Sequence, residues 1–315
     1  MSNEFVAALQ NRSLDELILF HKSDLHSHAG RSGKVDYIAK WANVNIDKPP
    51  NKFDSISHMQ TWYNENIKKH CSGFTGQLKR WEAGFVQASM DNITVLSMSF
   101  SNSEINFVGG MESFINILKS YNETFAPKTL FLPELTFDRA CNVNNECGKL
   151  EEILSYNYFK SIDVCCDEFA QPIKNFIPLY KKAKEQSLRL KAHIGEFGTA
   201  DDVMEAVEEL ELDEVHHGIA AAKSEFVMNW LSRHKIQLNI CPTSNVMLGI
   251  VEDYKYHPIK TLYHAGIPVT VNTDDLLIMN QSISDEYLNL FISDVMTANE
   301  LDDIRINGLG EKNHY

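Results

Sequence analysis

Eight short apolar runs recur along the chain, and segments with helical periodicity separate them. The runs predict strands near 23–28, 93–100, 129–135, 161–166, 188–194, 214–218, 236–241 and 267–272. The clearest helices are predicted at 111–123, 174–187, 200–211, 222–234 and 284–297. Because eight strands that alternate with helices form a closed parallel sheet covered by the helices, the pattern predicts a (β/α)8 TIM barrel.

A doubly wound open sheet is the alternative fold for such an alternation. A nucleotide-binding protein with that fold usually has a glycine-rich phosphate-binding turn after an early strand. The sequence HAGRSGKV at 28–35 is neither a GxGxxG nor a Walker motif. The barrel is therefore favoured over the open sheet.

Residues 44–90 form a segment that is long for a connection between a strand and the next helix. The segment contains Trp62, Tyr63, Phe74 and Trp81. We interpret it as inserted helices after the first strand that form a lid over the mouth of the barrel. Residues 1–315 are then a single domain, because one barrel commonly needs about 250 residues or more.

Composition and charge limit the partners that the chain can bind. With 29 basic and 43 acidic residues the formal net charge is −14, and a surface this acidic repels nucleic acid and anionic membranes. The sequence has no recognisable signal peptide and no uncharged apolar run of membrane-spanning length. Six cysteines spread through a sequence without an export signal favour reduced thiols, so we expect a cytoplasmic protein with a small-molecule ligand. None forms a CxxC motif, which makes a cysteine zinc site unlikely.

Residues that commonly bind metals follow four of the predicted strands. They are His26 and His28 after the first strand, His193 and Glu196 after the fifth, His216 and His217 after the sixth, and Asp274 and Asp275 after the eighth. Barrel enzymes build their active sites at the carboxyl ends of the strands, so this distribution indicates a metal centre. Since side chains alternate along a strand, only one of His216 and His217 should face the interior, and we expect His216 to be structural.

Six motifs resemble those of the adenosine/AMP deaminase family within the metal-dependent amidohydrolase superfamily. In chain order they are DLHSH (24–28), DVCCDE (163–168), HIGE (193–196), HHG (216–218), CPTSN (241–245) and NTDD (272–275). The order of the motifs is that of the family, and the set is more specific than any one of them. The resemblance implies hydrolytic deamination of the 6-amino group of an adenine nucleoside or nucleotide.

The resemblance also implies a role for each site residue. One zinc ion per chain would be bound by four side chains: His26, His28, His193 and Asp274. His217 would be a base and an electrostatic support beside the activated water, and Asp275 would orient that water and accept a hydrogen bond from the purine. Glu196 would protonate the ring nitrogen, which requires that burial and the neighbouring Asp275 raise the pKa of its carboxyl group.

Three positions depart from the family pattern and bear on the substrate. Gly30 stands where nucleoside deaminases usually have an acid that binds the ribose, and Arg31 follows it. Since arginine binds phosphate in a bidentate manner, this change favours a 5'-mononucleotide such as AMP or dAMP over adenosine. Cys166 replaces a glycine whose amide meets the purine edge, so its side chain would reshape the base pocket, whereas Leu276 replaces a proline and affects only a loop.

Other functions remain open at this point. A metal-dependent phosphoesterase would use two or three metals, and another amidohydrolase would usually have a bridging lysine after the fourth strand. A purine-nucleotide sensor with an inactive site ranks last, because every group that the deaminase chemistry needs is present.

Some residues are given no chemical role. The CPTSN motif is expected to shape a turn, and the remaining histidines are treated as surface or packing residues: His21, His58, His70, His234, His257, His264 and His314. The oligomeric state stays undetermined.

Overall fold

A computed structural model of the protein describes residues 2–310, so His314 lies outside the described residues. Eight parallel strands follow one another in sheet order as in sequence. They are β1 Lys22–Asp24, β2 Ile93–Ser101, β3 Leu130–Asp138, β4 Ser161–Cys165, β5 Arg189–Ile194, β6 Glu214–His217, β7 Gln237–Ile240 and β8 Val269–Val271. The predicted (β/α)8 TIM barrel is therefore confirmed.

Helices cover the outside of this sheet. They are α1 Ser2–Gln10, α2 Leu14–Leu17, α3 Val35–Ala42, α4 Ile56–Asn66, α5 Gly73–Met90, α6 Asn102–Phe107, α7 Met111–Phe125, α8 Val143–Ser155, α9 Ile177–Glu185, α10 Ala200–Leu210, α11 Glu225–His234, α12 Pro242–Met247, α13 Ile259–His264, α14 Leu276–Met279, α15 Ile283–Ile292 and α16 Ala298–Gly310. No helix in the described range is long and apolar enough to cross a membrane.

The barrel closes between β8 and β1 through contacts beyond the ends of these two short strands. Ser27 forms an isolated parallel bridge with Asp274, and the backbone N–H of Asp274 donates to the carbonyl of His26 at 2.9 Å. The N–H of Leu25 donates to the side chain of Asn272 at 2.8 Å. This closure places the residues that follow β1 directly beside those that follow β8.

The first predicted strand is shorter in the structure than the sequence suggests. The ladder ends at Asp24, and the chain then bends before the bridges made by Ser27 and His28. The strand stops because the Leu25 N–H bonds to a side chain instead of to a neighbouring strand. His26 and His28 therefore lie on the rim of the barrel.

The segment 44–90 divides into two parts with different surroundings. Trp81 of α5 is fully buried, and its ring centroid lies 5.4 Å from that of Phe100 and 5.7 Å from that of Phe114. Helix α5 is therefore part of the barrel wall. Helix α4 lies at the cavity and contributes Gln60 and Tyr63 to its lining. Gln77 and Arg80 of α5 also line the cavity. A lid function for 44–90 stays a prediction.

Candidate active site

A cavity of about 1070 Å³ opens at the carboxyl ends of the strands. Its lining includes most of the residues singled out from the sequence: His28, Gly30, Arg31, Cys166, His193, Glu196, His217, Asp274 and Asp275. The fold therefore brings together side chains that are up to 250 residues apart in the chain. His26 lies beneath them and is 2% exposed.

Four of these side chains converge on one point: His26, His28, His193 and Asp274. Their donor atoms all lie within 4.8 Å of one another. The Nε2 atoms of His26 and His193 are 2.9 Å apart. Asp274 Oδ1 lies 3.2 Å from His28 Nε2 and 3.7 Å from His26 Nε2. Three imidazoles and one carboxylate at such separations suit a tetrahedral zinc ion, whose ligand bonds are about 2.0–2.2 Å long.

Each imidazole of this group has a partner for its second ring nitrogen. The pairs are His193 Nδ1 with Asp163 Oδ1 at 3.0 Å, His28 Nδ1 with Ser99 Oγ at 2.9 Å, and His26 Nδ1 with the Asn239 carbonyl at 3.2 Å. Because oxygen partners of this kind accept a hydrogen bond, they favour a proton on Nδ1. The Nε2 lone pair is then directed to the common point, as in histidines that bind metals.

The charges around this point also suit a cation. Burial acts to lower the pKa of His28, but the hydrogen bond to Asp274 and the charges of Asp275 and Asp274 outweigh burial and raise this pKa to about 10. At His193, burial dominates and lowers the pKa to about 3, so the ring is neutral. The negative potential that holds a proton on His28 would equally attract a metal ion. The donor set therefore fits zinc, and zinc binding stays a prediction.

Three non-glycine residues at or just after strand ends have left-handed backbone conformations: Cys166, His217 and Asp274. The φ angle is +64° at His217 and +59° at Asp274, a region that residues other than glycine rarely adopt. The prediction that only one of His216 and His217 faces the interior is wrong. Their ring centroids lie 4.1 Å and 4.6 Å from that of His26. The alternation rule applies to extended backbone, and the positive φ at His217 breaks it.

The CPTSN segment forms α12 and does more than shape a turn. Ser244 Oγ donates to Asp274 Oδ2 at 2.7 Å, and Asn245 Nδ2 lies 3.4 Å from His217 Nδ1. On its other side, Asn245 Oδ1 lies 3.2 Å from Nε2 of His257, a buried residue. The segment therefore orients both Asp274 and His217.

His217 lies next to two carboxyl groups of the cavity. Its Nε2 lies 3.6 Å from Glu196 Oε2 and 4.0 Å from Asp274 Oδ2. Burial lowers the pKa of His217 to about 3, so the ring is neutral over the physiological range. The ring is therefore free to accept a proton, and its role as a base stays a prediction.

Glu196 lies beside the four proposed ligands, and its side chain is 11% exposed. Its Oε1 atom is buried and has no hydrogen-bond partner within residues 2–310. As predicted, its pKa is raised well above the ordinary value; burial is the largest cause, followed by the charges of Asp274, Glu168 and Asp275. A carboxyl group that keeps its proton near neutral pH can act as a general acid.

Glu168 is a functional residue that the sequence analysis does not assign. Its carboxylate is 5% exposed and accepts hydrogen bonds of 2.8 Å from the backbone N–H groups of Gly195, Glu196 and Phe197. These bonds fix the turn after β5 that carries Glu196. Asp163, the partner of His193, is also unassigned. Both belong to the DVCCDE motif, which is the signal that could have found them.

Asp275 lies on the same cavity wall and is 4% exposed. Its Oδ2 accepts a hydrogen bond from Arg31 Nη1 at 2.7 Å, whereas its Oδ1 is buried and unpartnered in the described part of the chain. Arg31 Nη2 also donates to Gln60 Oε1 at 2.6 Å, and the guanidinium lies 4.8 Å from the centroid of the Tyr63 ring. Arg31 therefore links α4 to Asp275.

The two remaining predicted contact residues also line the cavity. Gly30 is part of a short 3-10 helix, and its carbonyl accepts a hydrogen bond from Arg80 Nε at 3.1 Å. Cys166 is exposed and has a φ angle of +77°. This conformation is one that glycine adopts without strain. Contact of either residue with a ligand stays a prediction.

Comparison with known proteins defines the family. A sequence profile described as adenosine deaminase matches residues 93–312. The chain belongs to the adenosine deaminase family. This result confirms the resemblance seen in the motifs and makes the protein a hydrolase of the deaminase type. A Treponema pallidum protein, assigned as an adenosine/adenine deaminase, is 30% identical over 277 residues that cover 88% of this chain and 93% of the relative.

Solved structures of this deaminase fold superpose over most of the chain. One is a Burkholderia ambifaria amidohydrolase with bound zinc, which superposes with a TM-score of 0.75 at 18% sequence identity. The aligned region covers 95% of this chain and 86% of the Burkholderia chain. Another is the N6-methyl-AMP deaminase from Arabidopsis thaliana, with a TM-score of 0.77 at 16% sequence identity. The aligned region covers 96% of this chain and 94% of the Arabidopsis chain. At these identities the likeness establishes the fold alone.

Proposed function

We propose that this protein removes the 6-amino group of an adenine nucleoside or nucleotide by zinc-dependent hydrolysis, giving the hypoxanthine product and ammonia. The observation that carries this proposal is a pair of buried carboxylate oxygens, Glu196 Oε1 and Asp275 Oδ1, beside the four-ligand centre; neither has a partner within residues 2–310. A buried polar atom without a partner costs about 1–3 kcal/mol. A purine with an amino group next to a ring nitrogen offers partners to both atoms.

One zinc ion per chain would be held by the four-residue group: His26, His28, His193 and Asp274. When bound, zinc activates water as a Lewis acid near neutral pH. The donor set and its oriented rings support zinc, as does the zinc bound in the Burkholderia protein.

Three side chains would carry out the proton transfers. His217 accepts a proton from the water whose oxygen adds to C6 of the purine, and Glu196 donates its proton to the adjacent ring nitrogen. Asp275 orients the water and accepts a hydrogen bond from the 6-amino group through Oδ1. When the C6–N bond breaks, the amino group takes the proton held by His217 and leaves as ammonia. C6 keeps the oxygen as a carbonyl, and the hydroxyl proton released from it restores the proton of Glu196.

The proposal is tested with purified protein and a panel of adenosine, deoxyadenosine, AMP, dAMP and their N6-methylated forms. We expect ammonia release in step with a change of the ultraviolet band from adenine-like to hypoxanthine-like. Glu196→Gln keeps the shape but not the acid, so kcat should fall by about 100-fold to 10,000-fold. The exposed Glu205→Gln on α10 is the matched control. Full turnover in Glu196→Gln would contradict the acid role.

Metal content separates this function from its rivals. A phosphoesterase or a two-metal amidohydrolase would contain more than one metal ion per chain. Elemental analysis should give one zinc per chain, and a value of two or more would favour the rivals. Strand β4 ends at Cys165 and not at the lysine that a two-metal amidohydrolase would usually use. An inactive sensor would bind the purine and release no ammonia.

Within this reaction we propose a 5'-mononucleotide as the preferred substrate. The cavity of about 1070 Å³ has room for a base, a sugar and a phosphate, and both Arg31 and Lys68 line it. Arg31 uses two N–H groups in its bonds to Asp275 and Gln60. A guanidinium has five N–H donors, so these bonds leave capacity for phosphate oxygens.

Replacement of Arg31 tests the substrate preference. Arg31→Ala should lower kcat/KM for AMP by about 10-fold to 100-fold more than for adenosine, because a charged hydrogen bond contributes about 1.5–3 kcal/mol. Some loss with both substrates is expected, since Arg31 also holds Asp275. Arg233→Ala on α11 is a remote, exposed control. If kcat/KM falls equally for AMP and adenosine, Arg31 acts only through Asp275 and the phosphate assignment is wrong.

A further inference from the structure

Two adjacent thiols lie where β4 ends at the substrate cavity. Cys165 is buried and Cys166 is exposed, and both line the cavity. Their Sγ atoms are 3.3 Å apart, so the sulfurs would have to approach by about 1.3 Å to reach a disulfide length of about 2.05 Å. The purine chemistry derived above uses neither sulfur.

The two thiols differ in a way that suits sequential oxidation. Cys166 is accessible from the cavity, whereas Cys165 lies behind it with 8% exposure. The hydrogen bond from the Cys165 thiol lowers the pKa of Cys166 and so favours its thiolate. An exposed thiolate next to a second, sheltered thiol is the arrangement of a redox-reactive cysteine and its resolving partner.

We propose that Cys165 and Cys166 form an oxidation site, at which a peroxide converts the pair into a vicinal disulfide that inactivates the enzyme reversibly. The site itself follows from the placement of the thiols. The loss of turnover as its consequence rests on the proposed deaminase function.

The chemistry balances with hydrogen peroxide as the only co-reactant. The Cys166 sulfur attacks one peroxide oxygen, the O–O bond breaks, and the other oxygen leaves as water, which gives a sulfenic acid on Cys166. The Cys165 sulfur then attacks the Cys166 sulfur, the S–O bond breaks, and a second water leaves. The two thiols lose two electrons and two protons, and the peroxide is reduced to two water molecules.

The disulfide would act on the site through the backbone. Adjacent Cα atoms are about 3.8 Å apart, which is shorter than the 4.4–6.8 Å span of ordinary disulfides, so the bond would be strained and easily reduced. Its formation must shift Cys166, whose φ angle is already +77°. Glu168 lies two residues further and holds the turn of Glu196. A displacement of about 1 Å at such a site can lower the rate about 100-fold.

The experiment treats zinc-loaded protein with hydrogen peroxide and follows intact mass, tryptic peptides and turnover in parallel. We expect a mass loss of two hydrogens within the peptide that contains both cysteines. Turnover should fall about tenfold or more at the same rate. Dithiothreitol should restore both. A disulfide at other cysteines, or oxidation of this pair with unchanged turnover, would overturn the proposal.

Two variants sharpen the test, each compared with its own untreated sample. Cys165→Ser lacks the resolving thiol, so peroxide should add oxygen to Cys166 and dithiothreitol should no longer restore turnover after long exposure. Cys147→Ser removes a partly buried thiol on α8 outside the pair and should behave like the wild type. Reversible inactivation of the same extent in Cys165→Ser would refute the role of the pair. The mass readout remains valid even if the protein shows no deaminase activity.

Discussion

Glu168 binds three consecutive backbone N–H groups in the turn that carries Glu196. A carboxylate that accepts several such bonds holds a turn more firmly than a neutral acceptor, because each bond is charge-assisted. Its contacts are with the backbone of the turn and with no residue of the metal group. We therefore propose that Glu168 is a positioning residue for Glu196, the proposed acid.

Replacement of Glu168 by glutamine should therefore affect the rate more than binding. In Glu168→Gln the amide nitrogen would face a backbone N–H. Each charged hydrogen bond that is lost would remove about 1.5–3 kcal/mol of stabilisation from the turn. We expect kcat to fall about 10-fold to 100-fold while KM changes little, as measured by steady-state ammonia release. Glu168→Asp should recover part of the rate. The exposed Glu185→Gln on α9 serves as the control, and an unchanged kcat would contradict the positioning role.

At the residue scale, sequence predicts chemistry better than orientation. The convergence of the four proposed ligands is predictable because the carboxyl ends of barrel strands meet at one rim, whatever the details of packing. The roles of Glu168 and Ser244 are not, since both depend on where a turn or a short helix passes in space. The inward orientation of both His216 and His217 is not predictable, because the left-handed backbone at His217 cannot be read from an HHG motif. The expected structural role of His216 is not contradicted.

Among the elements, the junction of β5 with α10 is packed with little tolerance. Gly195 has a φ angle of +71°, and a Cβ atom at this position would lie 2.3 Å from Val203 Cγ2. A side chain there must push α10 away from the strand end. The turn that carries Glu196 therefore depends on a glycine both for its conformation and for its space.

Gly195→Ala should lower the free energy of unfolding by about 2 kcal/mol or more, since strained backbone and overpacking each cost about 1–3 kcal/mol. Gly148→Ala is the matched control, because Gly148 lies within α8 and a Cβ there meets nothing within 4 Å. That change should stabilise by about 0.5–1 kcal/mol through helix propensity. Denaturant titration measures both. Equal stability of the two variants would refute the packing argument.

Element boundaries show how far periodicity reaches. The interior strands and most of the long helices follow their predicted ranges closely, because each has one clear apolar pattern. The helix predicted at 284–297 instead ends at Ile292. The segment 44–90 does not, since Trp62 on α4 and Trp81 on α5 look alike in sequence. Only the packing of Trp81 against Phe100 reveals that α5 belongs to the barrel wall.

For the whole molecule, buried carboxyl groups away from the metal centre make stability depend on pH. Glu286 on α15 is 1% exposed, and its Oε2 accepts a hydrogen bond from the Thr243 N–H at 3.2 Å. Burial raises the pKa of Glu286 from 4.5 to about 8. Below about pH 4.5, Glu286 is protonated in both the folded and the unfolded chain. Its contribution to the free energy of unfolding is therefore fully present there.

As the pH rises from about 4.5 to about 8, the unfolded chain loses this proton first, and the contribution of Glu286 to stability declines. Glutamine does not ionise, so Glu286→Gln lacks this pH-dependent contribution to stability. We therefore expect the variant to lose less unfolding free energy than the wild type between about pH 5 and about pH 8. Urea titrations across this range measure the difference. Parallel curves for the two proteins would show that Glu286 ionises normally.

The closure between β8 and β1 gives the metal a second consequence. His26 and His28 follow the first strand, and Asp274 follows the last one, so the proposed ligands stand on both sides of the line where the sheet meets itself. A cation shared by them would cross-link the two ends of the barrel sequence. Chelation should then speed amide hydrogen exchange in 22–24 and 269–271 before it does so in 130–138, the strand β3, which carries none of the proposed ligands.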